Sequence, residues 1–226
     1  MRIAVLGTGT VGQALAGRLA QLGHDVTVGT RDVAATRART EPDGMGNPPF
    51  SAWAPAHPDV RLATFAEAAE AAELIVNATT GRVSIDALQA AGADNLAGKT
   101  LVDIANPLDF SHGFPPSLFV KDTDSLGEQI QATFPDVKVV KALNTMNASL
   151  MVDPRQLAAG DHSVFVCGND AGAKKAVAGL LESFGHTDII DLGDLSNARA
   201  TEMLLPVWTR LFTALGTPMF QFKIVR

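Results

Sequence analysis

The chain of 226 residues has no tyrosine and one cysteine, Cys167. The first absence removes the tyrosine general acid used by many carbonyl reductases. The second removes any intrachain disulfide, and the five histidines form no cluster of metal-ligand spacing with it. Cys167 itself sits in the apolar run Ser163–Cys167 and reads as a buried structural thiol. Basic residues are in deficit, 18 Lys and Arg against 24 Asp and Glu, for a net charge of −6. Nucleic acid and anionic membranes both attract basic surfaces, so neither is an expected partner. No apolar run reaches the about 18 residues of a membrane span. The chain starts on a strand pattern, not on a basic stretch followed by an apolar leader, so a cytoplasmic protein is expected. Charged residues are only 19% and hydrophobic residues 46%. That composition buries a sizeable core, as one large domain or a domain with an appendage.

What is present is concentrated first in the opening residues. Arg2–Leu6 is a short, β-branched apolar run, followed at once by Gly7-Thr8-Gly9-Thr10-Val11-Gly12. Gln13–Leu22 then has helical spacing, and Gly23 is placed to stop it. A strand, a G-x-G-x-x-G turn and a helix in that order form a dinucleotide-binding fingerprint. Gly7 permits the tight turn, Gly9 lets a pyrophosphate approach the backbone, and Gly12 lets the helix pack on the sheet. The helix N-terminus then offers unpaired N–H groups and a partial positive charge.

The second strand, Asp25–Gly29, delivers Thr30 and Arg31 to the position that meets the adenosine ribose. A hydroxyl with an arginine accommodates a 2′-phosphate and selects NADP, whereas an acid there selects NAD. Asp32 follows directly, and a slip of one residue would favour NAD.

Thr40–Pro58 is a proline- and glycine-rich connection long enough to be a lid or binding loop, or else a packed excursion. Strands are then expected at 60–63, 74–78, 100–105 and 138–143, with helices between them. Ser125 and Glu128 have capping-box spacing. The alternation is βαβ throughout, the pattern of a doubly wound, mostly parallel α/β sheet.

After Pro154 come strands at 163–167 and 187–190, a helix from Ala171 to Phe184 capped by Asp170, a helix from Asn197 to Leu215 kinked at Pro206, and a final alternating strand at 220–225. Lys174 and Lys175 fall on the outer face of the first of these helices. The division expected is a nucleotide-binding domain over residues 1–150 and a small α/β C-terminal domain over 151–226 that extends the sheet and helps form the substrate cleft. The apolar surface of the C-terminal region predicts a homodimer through it.

Ligands of such sheets sit outside the carboxyl ends of the strands. The loops there are the candidate site: Gly7–Gly12, Thr30–Arg31, Asn77–Gly81 with Ala78 and Thr79, Asn106–Leu108 with Pro107, and Asn144–Ala148. They carry amides, hydroxyls and small residues and almost no ionisable groups, which suits a small-molecule cofactor cradle. No serine or cysteine triad and no carboxylate cluster for a metal appears, and no catalytic residue stands out. Lys141 and Asp103 are candidates for acid–base work but read better as structural, with Lys141 at the protein's edge. His24, His112 and His162 read as loop histidines.

Five segments, Gly7–Gly12, Val28–Arg31, Val139–Thr145, Val166–Asp170 and Asp191–Arg199, come in the same order as in the coenzyme F420-dependent NADP oxidoreductases. The chain also resembles the cytosolic domain of the STEAP metalloreductases. The resemblance implies a Rossmann domain with a small C-terminal extension, NADP along the strand ends, and a deazaflavin in the cleft between the two parts. Carried over by position, Thr8–Val11 hold pyrophosphate, Thr30 and Arg31 the 2′-phosphate, and Ala148 lies at the nicotinamide carboxamide. Two departures bear on the second substrate. The archaeal enzymes have a histidine where this chain has Asn144, and they lack most of the Thr40–Pro58 segment. The acceptor implied is coenzyme F420 or a flavin. Two alternatives stand beside it: a reductase of a small C=N or C=O compound, as in pyrroline-5-carboxylate reductases, and a non-catalytic NADP(H) sensor. The stretch after Pro154 is short for the largely helical C-terminal domain of those reductases.

Overall fold

The computed structural model describes residues 1–44 and 46–226. Met45, within the proline-rich connection, lies outside the described residues. The first half runs β1 (Arg2–Leu6), α1 (Thr10–Gln21), β2 (Asp25–Thr30), α2 (Val33–Ala38), α3 (Phe50–Trp53), β3 (Arg61–Thr64), α4 (Phe65–Ala71), β4 (Leu74–Asn77), α5 (Ser84–Ala91), α6 (Ala93–Leu96) and β5 (Thr100–Asp103). The second half runs β6 (Leu108–Asp109), β7 (Ser117–Leu118), α7 (Leu126–Thr133), β8 (Lys138–Ala142), α8 (Ala148–Val152), β9 (Ser163–Gly168), α9 (Ala171–Phe184), β10 (Asp188–Asp191), α10 (Ala198–Met203) and α11 (Leu205–Leu215). No helix among the described residues is long and apolar enough to cross a membrane.

Eight strands form one sheet in the order β10-β9-β8-β5-β4-β1-β2-β3. Every neighbouring pair is parallel except β8 and β9. The order reverses direction beside β1, the switch point at which open α/β sheets bind ligands. Burial on both faces explains the near-continuous apolar strands. Ile3, Val5, Val28 and Val76 join Leu15, Leu19 and Phe184 on one face. Ala4, Leu6 and Ile75 join Leu88, Ile130 and Leu195 on the other. The fold is therefore the expected doubly wound, mostly parallel α/β sheet.

The long connection is a packed structure in its second half. Phe50 is buried in the core, and Trp53 stacks on His57 with ring centroids 3.8 Å apart beside Gly17 of α1. A hairpin, β6–β7, occupies the following proline-bearing loop, which the sequence pattern does not reveal. Ser125 caps α7 as expected, accepting from the Glu128 N–H at 3.1 Å, but its own N–H goes to Asp124 and the reciprocal half of the box is missing.

The C-terminal stretch corrects three expectations. The helix expected over 197–215 is two helices, because Pro206 stands in the first turn of α11, where its missing N–H costs nothing. Residues 220–225 alternate but form no strand. The Phe220 N–H returns to the Pro218 carbonyl and the Phe222 N–H to the Gln221 side chain. The segment meets β9 through one backbone bond, the Ser163 N–H on the Phe222 carbonyl at 2.9 Å, but the Ile224 N–H reaches the Ser163 hydroxyl and the ladder does not continue. Lys174 is not on a solvated face: its ammonium donates to Asp191 Oδ1 and the Gly193 carbonyl, each at 2.9 Å.

Candidate functional site

The glycine loop has the geometry its spacing predicts. Gly7 has φ +120°, which a side chain would strain, and a Cβ there would lie 2.6 Å from the Ala78 carbonyl oxygen. A Cβ on Gly12 would lie 2.1 Å from the Gly7 carbonyl oxygen. A Cβ on Gly9 would meet nothing within 4 Å. Two glycines thus allow close backbone packing, and the third borders open space at the start of α1. No side chain caps α1 and no acid stands in its first turn. That is the fit required by a pyrophosphate, whose oxygens take up helix N–H groups.

A 330 Å³ cavity continues from Thr8 and Gly9 past Thr30 and Arg31 to Pro48 and Pro49. The Thr30 hydroxyl lies 2.7 Å from that of Thr36. Asp32 lines this cavity, but its carboxylate accepts from the Ala35 N–H at 2.9 Å and caps α2. The acid that left NAD open is thus engaged in the helix. The Gln13 side chain donates to the Thr8 carbonyl at 2.9 Å and the Pro48 carbonyl at 3.3 Å, tying the proline-rich segment to the glycine loop.

On the other side of the loop opens a cleft of 730 Å³. Val11, Ala78 and Thr79 border it, Ile104, Asn106 and Asn144 lie along it, and Trp208 of α11 closes one side. The Asn106 amide donates to the Asn144 carbonyl at 2.8 Å, and the Asn144 amide donates back to Asn106 Oδ1 at 3.0 Å. This exchange ties the end of β5 to the end of β8. Leu143, just before Asn144, has φ +62°. A left-handed conformation costs a branched residue about 1–2 kcal/mol, and here it turns the chain sharply off β8. The ionisable side chains of the cleft are Arg82 and Asp109, and they are paired with each other. The Ser111 N–H and the Arg82 guanidinium hold the Asp109 carboxyl down to about 2.

Beneath the cleft lies a buried polar network. Lys141 is 1% exposed, so it does not point to the edge of the protein. Its ammonium meets Asp103 Oδ2 at 2.8 Å and Glu202 Oε1 at 2.7 Å, and donates to the Ala105 carbonyl. Glu202 also accepts the Leu126 and Gly127 N–H groups at the start of α7, at 2.9 and 3.2 Å. One lysine therefore faces two carboxylates, and the helix N-terminus offsets the surplus negative charge. Asp103 Oδ1 accepts from Asn77 at 2.8 Å, and Asn77 Oδ1 accepts from the Thr79 hydroxyl at 2.7 Å. Burial disfavours the charged lysine, but Asp103 and then Glu202 outweigh it and hold its pKa above the ordinary value.

Of the residues singled out from the sequence, Thr8, Gly9, Thr30 and Arg31 meet in the first cavity, and Val11, Ala78, Thr79, Asn106 and Asn144 meet in the cleft. Thr10, exposed, opens α1, and Pro107 stands between Asn106 and Leu108 of the cleft wall. Asn77 is fully buried under Thr79 as a support. Ala148 begins α8 outside the residues that border the cleft. Glu202 and Trp208 were not legible. They lie far along the chain, and only the return of α10 and α11 across the sheet brings them in. Cys167 is fully buried and its thiol is pushed by burial up to about 12, so it is no nucleophile. His162 is buried, with Nε2 on the Pro154 carbonyl at 3.1 Å.

Residues 2–107 match the family described as NADP oxidoreductase, coenzyme F420-dependent. A crystal structure from Arthrobacter sp. FB24, named provisionally an F420-dependent NADP reductase, is 68% identical over the full length of both chains with a TM-score of 0.95. The chain belongs to the coenzyme F420-dependent NADP oxidoreductase family. The F420-dependent NADP reductase of Methanothermobacter marburgensis is 29% identical over 222 residues, 93% of this chain and 92% of that protein. Rat metalloreductase STEAP3 is 29% identical over 233 aligned positions, covering all of this chain. The chain spans only 42% of the length of STEAP3. Family membership makes the protein an NADP-dependent oxidoreductase.

Proposed function

We propose that the cleft brings a nicotinamide ring against a deazaflavin or flavin ring, and that the protein passes a hydride between NADPH and that acceptor. The observation that carries this is the chemistry of the cleft. Its walls are largely apolar and aromatic (Ile104, Met146, Trp208), its uncharged polar side chains are the amides of Asn106 and Asn144 and the hydroxyls of Thr79, Thr80 and Ser111, and its two ionisable groups neutralise each other. Transfer between two flat rings needs alignment at near-contact and exclusion of water more than it needs a strong acid. The nicotinamide, when bound, supplies or accepts the hydride. The residues of the chain hold and orient.

In this assignment residues 1–150 carry the nucleotide. The glycine loop takes the pyrophosphate, Thr30 and Arg31 take the 2′-phosphate, and Ala78–Thr79, Asn106–Pro107 and Asn144 frame the nicotinamide end, with Asn77 supporting Thr79 from beneath. Residues 151–226 supply the opposite wall through Leu205 and Trp208. A reductase of C=N or C=O compounds would need a proton donor at the substrate. Lys141 and Asp103, the candidates for that work, are both sealed, with side chains 0% exposed. The archaeal relative's name supports coenzyme F420 as the acceptor, while Asn144 leaves room for an ordinary flavin. The exposed apolar residues Val207, Leu215 and Ile224 support a homodimer through the C-terminal region. A monomeric mass by light scattering at micromolar concentration contradicts that dimer.

Anaerobic mixing of the protein with NADPH and either F420 or FMN tests the function. Loss of the visible absorbance of one acceptor is expected. Turnover of imines or ketones with neither acceptor reduced would overturn the assignment.

A further inference from the structure

The family's nucleotide chemistry leaves Arg39 unassigned, and its surroundings are those of a ligand-binding cation. We infer that Arg39 is a specificity-determining residue, the second arm of a two-arginine clamp on the 2′-phosphate of the adenosine ribose. The inference rests on assigning the 330 Å³ cavity to the adenosine end of the nucleotide. Arg31 and Arg39 both line that cavity, one after β2 and the other at the end of α2.

Among the described residues neither guanidinium has an acidic partner within salt-bridge distance. The two acids that share the cavity accept hydrogen bonds from neighbours in their own segments. Asp32 caps α2 through the Ala35 N–H. Asp43 Oδ1 accepts from the Asn47 N–H at 2.9 Å, and both its oxygens accept from the Asn47 amide. The cavity therefore offers two guanidinium groups that are not ion-paired, and a phosphate monoester is the dianion that suits such a pair.

Arg39 is also held in place. Its Nε donates to the Glu41 carbonyl at 3.2 Å and its Nη2 to the Pro42 carbonyl at 3.4 Å, while its own carbonyl accepts from the Ser51 hydroxyl. Phe50, next to Ser51, is buried in the core, and Pro48 is tied to Gln13. The proline-rich segment thus acts as a fixed wall that keeps this guanidinium on the cavity. Through Arg39 the segment helps to select the phosphorylated nucleotide.

The test is calorimetric titration of 2′,5′-ADP and 5′-AMP into wild type, R39A, R39K and R37A. Arg37 borders a different depression, against Pro55 and Pro58, and serves as the control. R39A is expected to lose about tenfold in affinity for 2′,5′-ADP and to keep its affinity for 5′-AMP, with R39K between and R37A unchanged; tenfold is about 1.4 kcal/mol. Equal losses for both ligands in R39A would make Arg39 only part of the wall and overturn the clamp. So would an R39A that binds both as wild type does. If wild type itself fails to prefer 2′,5′-ADP, the assignment of the cavity falls and the clamp with it.

Discussion

The Lys141 ammonium stands 2.7 Å from the Glu202 carboxylate, and neither side chain is more than 2% exposed. This contact joins the middle of the sheet to α10, and α10 leads directly into Leu205 and Trp208 of the cleft wall. Removing one partner of a buried ion pair leaves an uncompensated charge and costs about 3–5 kcal/mol. K141M, which strands two carboxylates, should lose stability on that scale in urea titration. E202Q keeps an acceptor for the α7 N–H groups and should lose less, about 1–3 kcal/mol. The pH dependence has a definite sign. The folded pKa of Lys141 lies above its unfolded value, so this stabilisation is complete below the ordinary 10.5 and is lost as pH rises beyond it. Stability of K141M that equals wild type would show that the network does not hold α10 to the sheet.

The glycine loop separates packing from binding at adjacent positions. Gly12→Ala forces a methyl group onto the Gly7 carbonyl and should lower the melting temperature, with several kcal/mol of overpacking available to it. Gly9→Ala places its methyl in open space and should fold as wild type while losing about tenfold or more in NADPH affinity. Thermal melts and NADPH titrations of the two variants check this, and a Gly9→Ala protein that binds NADPH normally would contradict the placement of the pyrophosphate.

Asp109 anchors β6 at the rim of the cleft. The Ser111 N–H and then Arg82 hold its carboxyl at about 2, below the ordinary 3.8. A depressed folded pKa stabilises above the unfolded value and is lost as pH falls, here between about 4 and 2. Carboxyl chemical shifts measured by NMR should show Asp109 still ionised at pH 3.5. In D109N the hairpin should lose its Arg82 tie, visible as faster amide exchange at Ser111, whose N–H donates to Asp109 Oδ1 at 2.9 Å.

Trp208 lines the cleft from α11, remote from the glycine loop in the chain. W208A should raise KM for the acceptor about tenfold, as loss of a stacked aromatic does, and leave NADPH affinity within about twofold. Steady-state kinetics with both substrates varied distinguishes the two, and equal losses would place Trp208 outside the acceptor's side of the cleft.

The legible features were those encoded within a few residues. The glycine loop, Thr30–Arg31, the apolar strands and the Asp170 cap depend on neighbours in the chain, and their types and spacing announce them. Lys141 misled because a lysine among Val139, Val140 and Ala142 reads as an edge residue. Asp103 and Glu202, which neutralise it, come from a neighbouring strand and a distant helix and meet it only through the sheet order. The alternation at 220–225 misled for the opposite reason. Period-two patterning fits a half-buried strand, but a ladder also needs successive backbone partners, and here the Phe220 and Phe222 N–H groups are taken locally, Ile224 finds a hydroxyl, and only the Phe222 carbonyl pairs with β9. The long connection was readable as unusual but not as a wall, since its packing depends on contacts with α1.

If two rings meet in the cleft, hydride passes directly from one carbon to the other. NADPH carrying deuterium at the transferred C4 position, mixed anaerobically with the protein and F420, is the decisive probe of that transfer. A deazaflavin accepts hydride at carbon, so the label is not lost to solvent by exchange. Mass spectrometry should find one deuterium in the reduced F420 for each NADPH consumed. Reduced F420 without the label, or NADPH left unoxidised at saturating protein, would contradict direct transfer in the cleft.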